Sequence, residues 1–295
     1  MSVPRFLILC ALASVFAVAL TQRDRVDYST VARITILPDL RPPQAAETAS
    51  AASAGEDEDA TTEVVFPNPA PGNRAAFAAL RLKAGLSQEM LNNFDLFLYV
   101  SKAKRGPLAQ RMVVFRKGSG DTLALVYDWA ASTGREQQEV SPRGRRSFTA
   151  TPHGYYQLDP QRMYRSYHSY NWDQPMPHAM FFDWERKGRQ TGLAIHATSA
   201  QSLEKLGQRA SAGCVHLSPG NAETLFDLIR TGYRGEVPRF AYDAQSRTMR
   251  NDGAFMRDRK GRLIMADGYK VLVVIEDFGG KSIVAALEDS SSNPL

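Results

Sequence analysis

The chain has 295 residues, 43% hydrophobic and 23% charged, with a formal net charge of +5. These are the proportions of an ordinary soluble globular protein, long enough for one large domain or two modest ones around a buried core. No Lys/Arg block interleaved with aromatics occurs, which argues against nucleic acid as a partner, and the mild basic excess suits a carboxylate-rich polymer or any other anionic surface.

In chain order, Met1 to Arg5 carry one basic side chain and precede the apolar run Phe6 to Leu20, with small residues at Ala17 and Ala19. The run is short for a membrane span, which needs about 20 residues. It reads as a secretory signal peptide over 1–20, and the chain is expected to be exported to the periplasm or cell wall. An uncleaved signal would be its only membrane attachment. Of the two cysteines, Cys10 lies inside this segment, so the exported chain keeps Cys214 alone. A lone thiol forms no internal disulfide and is either a small buried hydrophobe or a reactive group.

The N-terminal segment 21–93 contains a short strand pattern at Thr30 to Leu37. From about 41 to 74 it is rich in Ala, Ser, Pro and acids, Glu56-Asp57-Glu58-Asp59 among them. So few apolar groups cannot offset the entropy of ordering, and a flexible linker is expected. Arg74 to Leu91 is Ala/Leu-rich and predicts a helix. β-rich runs follow at Leu96–Ser101, Arg111–Arg116, Leu123–Ala130, Tyr155–Leu158, Ala179–Trp184 and Gly192–His196. Ser218 as N-cap and Pro219 at the first position predict a helix to about Tyr233, with Leu225, Phe226, Leu228 and Ile229 as its apolar stripe. Tyr269–Ile275 is the last strand. The expected fold is mainly β, a sandwich or small barrel with one or two flanking helices over 94–278. An insertion at about 234–268 and a tail at 279–295 complete the expected organisation.

His196 ends an apolar strand, and Cys214 follows eighteen residues later, behind Gly213 and just before the helix. A thiolate is the nucleophilic form of cysteine, and a histidine within hydrogen-bond reach can take the thiol proton. Gly213 allows its own N–H and that of Cys214 to turn toward one point, where each would stabilise an oxyanion by about 3–4 kcal/mol. The helix start is expected to lower the thiol pKa further. The same residues also describe a core cysteine with an unrelated histidine. Metal binding by His196, Cys214 and His216 lacks any CxxC or HxxxH spacing, so no metal and no cofactor are expected.

The order of several motifs adds to this. His196 followed by Ser211-Ala212-Gly213-Cys214-Val215 resembles the signature of YkuD-like L,D-transpeptidases. Ala131-Ser132-Thr133-Gly134, Thr151-Pro152-His153-Gly154-Tyr155-Tyr156 and Met176-Pro177-His178-Ala179-Met180 resemble further stretches of that family. The resemblance implies acyl transfer on peptidoglycan stem peptides. Cys214 would be the nucleophile and His196 the base. The Ala197 carbonyl would orient the imidazole, and the backbone at Ala212, Gly213 and Cys214 would form the oxyanion hole. Ser211, His216, Met180, Tyr170 and Trp172 would face substrate, the last two from a segment, 159–178, where the family carries a lid. The implied product is a 3→3 cross-link. Water, or an amine of an outer-membrane protein, are the alternative acceptors, and a non-catalytic peptidoglycan-binding domain is the alternative function. Two positions depart from the family pattern: Ala212 stands where histidine is usual, and His216 where Arg or Asn is usual. They leave the acceptor open.

Overall fold

A computed structural model describes residues 74–279 and the backbone of 34–36. The chain divides into Met1–Thr30 and Val31–Leu295, and all described residues fall in the second unit. The expected signal segment, nearly all of the linker and all but the first residue of the tail lie outside them.

The Ala/Leu-rich segment forms two helices where one was expected, α1 (Arg74–Gly85) and α2 (Gln88–Asn93). Ser87 divides them, because its hydroxyl accepts from the Met90 N–H at 3.2 Å and so caps a new helix. A six-stranded sheet is built from β1 (Ile34–Ile36), β2 (Leu96–Ser101), β3 (Arg111–Lys117), β4 (Leu123–Ala130), β5 (Gly154–Tyr156) and the late strand Val271–Glu276. A four-stranded sheet contains β6 (Leu158–Tyr164), β7 (Ala179–Phe182), β8 (Ala194–Ala197) and β9 (Val215–Leu217). Calling the late strand β10, the spatial orders are β1-β4-β3-β2-β10-β5 and β9-β8-β7-β6. The fold is mainly β, as expected.

β2 and β10 pair in parallel and are buried on both faces, which explains why each reads as a continuous apolar run rather than an alternating one. One core joins both sheets: Phe97, Leu98, Val113 and Phe115 meet Leu158, Met180, Phe182, Ile195 and Val215 in a single buried cluster. α3 (Pro219–Gly232) starts at Ser218, whose hydroxyl accepts from the Asn221 N–H at 3.3 Å. It lays Ala222, Leu225, Phe226 and Ile229 against β8 and β9. Each large side chain so buried contributes about 1.5–3 kcal/mol, which holds these two strands in place.

The 234–268 segment is not a solvent-facing appendage. Arg234–Pro238 pairs antiparallel with Met265–Tyr269. Phe240 and Phe255 stack at 5.2 Å, Phe255 reaches Phe94 at 6.2 Å, and the Trp184 indole donates to the Met249 carbonyl at 2.9 Å. Its basic residues lie along the outside of this hairpin-like excursion, and the apolar ones between them complete the core.

Candidate active site

β8 and β9 lie side by side and parallel, with Ile195 opposite Val215, His196 opposite His216 and Ala197 opposite Leu217. Strand alternation sends Ile195, Ala197, Val215 and Leu217 into the core, where all are at most 1% exposed. His196 and His216 therefore share the other face, and Cys214, one residue before β9, comes alongside Ala194. A separation of eighteen residues in sequence thus becomes adjacency on two neighbouring strands.

The His196 imidazole has a defined tautomer. Nδ1 lies 2.8 Å from the Ala197 carbonyl oxygen, which can only accept, so Nδ1 carries the proton and Nε2 the lone pair. Nε2 is buried and has no hydrogen-bond partner. Burial lowers the His196 pKa from 6.5 to about 4, against the opposing effect of the Ala197 carbonyl. The His216 ring lies 4.4 Å away, centroid to centroid. Its Nε2 is also buried without a partner, and its pKa falls well below 6.5 through burial, then through His196 and Arg135.

Cys214 differs from the sequence expectation. Its thiol donates to the Gly192 carbonyl at 3.6 Å, not to His196, and it packs against Met176, Ala179, Phe181 and Ala194. Burial pushes the thiol up from 9.0 to about 11, and the Ala194 backbone N–H only partly offsets this. The expected lowering by α3 fails because the helix begins at Pro219, with Ser218 already bonded to its first turn. A helix field fades within that first turn. The resting pair is a neutral thiol beside a neutral imidazole.

The turn before Cys214 is held from within. Gly213 has φ +127, and a Cβ there would lie 2.8 Å from the Ala150 carbonyl oxygen, so only glycine fits. The Gly213 N–H donates to Ser211 Oγ at 3.0 Å, and Ser211 Oγ donates to the Cys214 carbonyl at 2.5 Å. Ser211 is 1% exposed. The hydroxyl expected to face substrate is a brace for the loop, and it occupies one of the two N–H groups assigned to the oxyanion hole. Thr151 Oγ1 extends the brace by donating to the Gly213 carbonyl at 2.7 Å and accepting from the Gly134 N–H at 2.8 Å. Two of the sequence motifs, around Gly134 and Thr151, are therefore the supports of the third.

Two cavities open beside the imidazoles. One, of about 210 Å³, is lined by His196, Ala197, Thr198, Ser199, Gln201, Ser202 and His216, together with Gln174 and Pro175. The other, of about 150 Å³, is polar and is lined by Arg135, Trp172, Lys205, Ala212 and His216 among others. His216 borders both, and Cys214 lines neither. Met180, expected at the substrate, is fully buried in the core opposite Ile195. Tyr170 is 71% exposed at the turn between His168–Ser169 and Gln174–Pro175, with the Arg143 guanidinium 4.7 Å over its ring. Trp172 does reach the polar cavity, with Arg135 6.0 Å over its ring. The sequence reading missed Arg135, Thr198, Ser202 and Lys205. Arg135 directly follows the Ala131–Gly134 motif, a signal that could have found it. Among the described residues no group of three or more His, Cys, Asp or Glu could hold a metal ion.

Residues 98–237 match the YkuD family, described as the L,D-transpeptidase catalytic domain. Among solved structures, an L,D-transpeptidase in complex with imipenem is 16% identical, with 62% of this chain and 59% of that one covered and a TM-score of 0.36. An L,D-transpeptidase from Mycobacterium smegmatis is 14% identical, with 62% and 59% covered and a TM-score of 0.33. One from Xylanimonas cellulosilytica is 16% identical, with 69% and 80% covered and a TM-score of 0.34. The chain spans about three fifths of the length of the first two. No curated protein matches.

Proposed function

Since residues 98–237 belong to the YkuD family of L,D-transpeptidase catalytic domains, we propose that the chain is an exported peptidoglycan L,D-transpeptidase with Cys214 as its nucleophile. The observation that carries the assignment is the in-register pairing of β8 and β9, with Cys214 and His196 on one face and an unpartnered Nε2 aimed away from the Ala197 carbonyl. The thiol turns from Gly192 toward His196 when a tetrapeptide stem enters. His196 Nε2 takes the Sγ proton as Sγ attacks the carbonyl after the third stem residue. The Cys214 N–H stabilises the oxyanion, in a turn that Ser211 and Thr151 hold rigid. The C–N bond to the terminal D-alanine then breaks, and His196 returns the proton to the departing amine. The resulting thioester passes to an amine, giving the 3→3 cross-link. For this cycle to run near neutral pH, substrate entry has to raise the His196 pKa and lower that of the thiol from their resting values of about 4 and about 11, because a general base works best with a pKa near the working pH. The first 20 residues direct the chain to the periplasm or cell wall.

The test is mass spectrometry of the intact protein with a tetrapeptide muropeptide and with imipenem. The wild type gains an acyl adduct on Cys214 and releases D-alanine, while Cys214→Ala does neither. Release of D-alanine by Cys214→Ala would overturn the assignment.

A further inference from the structure

Residues 138–148 form a hairpin that the acyl-transfer chemistry leaves without a task. Gln138–Val140 pairs antiparallel with Arg146–Phe148, with Gln138 opposite Phe148, Glu139 opposite Ser147 and Val140 opposite Arg146. Alternation puts Glu139 and Ser147 on one face and Gln138, Val140, Arg146 and Phe148 on the other. The first face is anchored, since the Glu139 carboxylate accepts from Arg135 and from Thr149 Oγ1. The second is open: Val140 is 60% exposed and Phe148 54%. The turn between the strands is held in one shape. The Ser141 hydroxyl accepts from the Arg145 N–H at 3.2 Å, the Ser141 carbonyl accepts from the Gly144 N–H at 2.8 Å, and Gly144 takes φ +77. It carries Arg143 and Arg145, next to Arg146 on the strand, and all three are exposed. Arg145 and Arg146 join no ion pair among the described residues, and no acidic residue lies between 140 and 148. Arg143 lies 4.7 Å over the exposed Tyr170 ring and 3.9 Å from Asp173, so the tip of a second hairpin adjoins the first. Asp173 is itself engaged by His168 at 3.0 Å.

We infer that this hairpin is a peripheral docking surface for an anionic lipid bilayer. Arg143, Arg145 and Arg146 meet headgroup phosphates, while Val140, Phe148 and Tyr170 settle at the boundary with the acyl chains. The inference is independent of the chemistry at Cys214. It adds to the expected N-terminal segment a contact made by the folded domain itself. The composition of the patch selects the partner. Each guanidinium can fork onto one phosphate, and a leaflet presents phosphates side by side, as three arginines within four residues require. An aliphatic and an aromatic side chain on one face gain by leaving water at a bilayer boundary, which a hydrated wall polymer does not offer. A tyrosine, apolar in its ring and polar at its tip, suits the headgroup level. A second copy of the chain would bring the same arginines against these, and like charges repel. Among the described residues no helix is long and apolar enough to cross a membrane. The contact inferred here lies on the surface and is reversible.

The apolar run 6–20 of the full chain can hold it on vesicles by itself, so the experiment reads the hairpin locally, by hydrogen exchange of peptides covering 137–149. The full chain is mixed with vesicles of phosphatidylglycerol and phosphatidylethanolamine, with vesicles of phosphatidylcholine, and with isolated peptidoglycan. Exchange across 140–148 should slow about fivefold or more on the anionic vesicles and stay unchanged with the other two. Arg145→Gln/Arg146→Gln should abolish the slowing, because each arginine near an anionic leaflet contributes about fivefold in affinity, the equivalent of about 1 kcal/mol. Val140→Ser/Phe148→Ser should reduce it to about twofold or less. Arg259→Gln/Lys260→Gln, the same loss of charge at exposed positions elsewhere, should leave it intact. Equal slowing on neutral vesicles or on peptidoglycan, no slowing on any vesicle, undisturbed slowing in either hairpin variant, or equal loss in the 259/260 variant overturns the inference.

Discussion

The thiol's surroundings predict how Cys214 reacts before any substrate arrives. At pH 7 a thiol with a pKa of about 11 is ionised in about one molecule in ten thousand, against about one in a hundred for the ordinary value of 9.0. Ionisation alone would make alkylation about a hundredfold slower. A more basic thiolate is more nucleophilic, by a Brønsted factor of about 0.4–0.5 per unit, which recovers nearly tenfold. The net expectation is alkylation by iodoacetamide about tenfold slower at pH 7 in the folded chain than in the same chain unfolded in urea. The logarithm of the folded rate should rise with unit slope from pH 7 to pH 10, without a plateau. Peptide mass spectrometry separates Cys214 from Cys10, so the full chain can be used. A rate that levels off below pH 8 would refute the reasoning, because it would mean that a thiolate–imidazolium pair with His196 exists in the resting protein.

Two other expectations follow from the same neighbourhood. Thr151→Val orphans the Gly134 N–H and the Gly213 carbonyl, both buried. It should cost about 3 kcal/mol in urea unfolding and slow thioester formation, and a loss under about 1 kcal/mol would show that the brace is dispensable. His196 is held below its unfolded pKa, so the unfolded chain binds the extra proton first as pH falls. Stability is complete above pH 6.5 and lost between 6.5 and about 4, by about 3 kcal/mol, with His216 adding in the same direction. Cys214 acts at the other end, its contribution being complete below pH 9 and lost as pH rises toward 11. Urea midpoints of the wild type and His196→Gln should converge on going from pH 7 to pH 4.5, and parallel curves would contradict this.

Much of the β framework was legible because its cues are local. Leu96–Ser101 and Leu123–Ala130 begin and end where apolar, β-branched and aromatic residues do. Ser218 and Pro219 mark the start of α3 in the letters themselves. Cys214 and His196 were legible as types and spacing, but their register was not, since parallel pairing of β8 and β9 depends on everything between them. The thiol's orientation was also hidden, because a side-chain rotation that swaps His196 for Gly192 leaves no trace in sequence. Met180 was misread for a similar reason. It ends a motif whose other members approach the site, and alternation along β7 turns its side chain to the core. The 234–268 stretch reads only as an insertion, because Phe240, Met249 and Phe255, which do its packing, are scattered singly among polar residues.

β10 lies beyond residue 237, yet it is the strand that joins β2 to β5. The stretch that identifies the family and the stretch that can exist as a folded object therefore have different lengths. Cutting the gene at the boundaries of the match would split the larger sheet into two pieces with raw hydrogen-bonding edges, and would remove the packed pair Phe94 and Phe255. In this chain the stretch holding His196 and Cys214 is short and central, and the strands that keep it in register are contributed from both flanks.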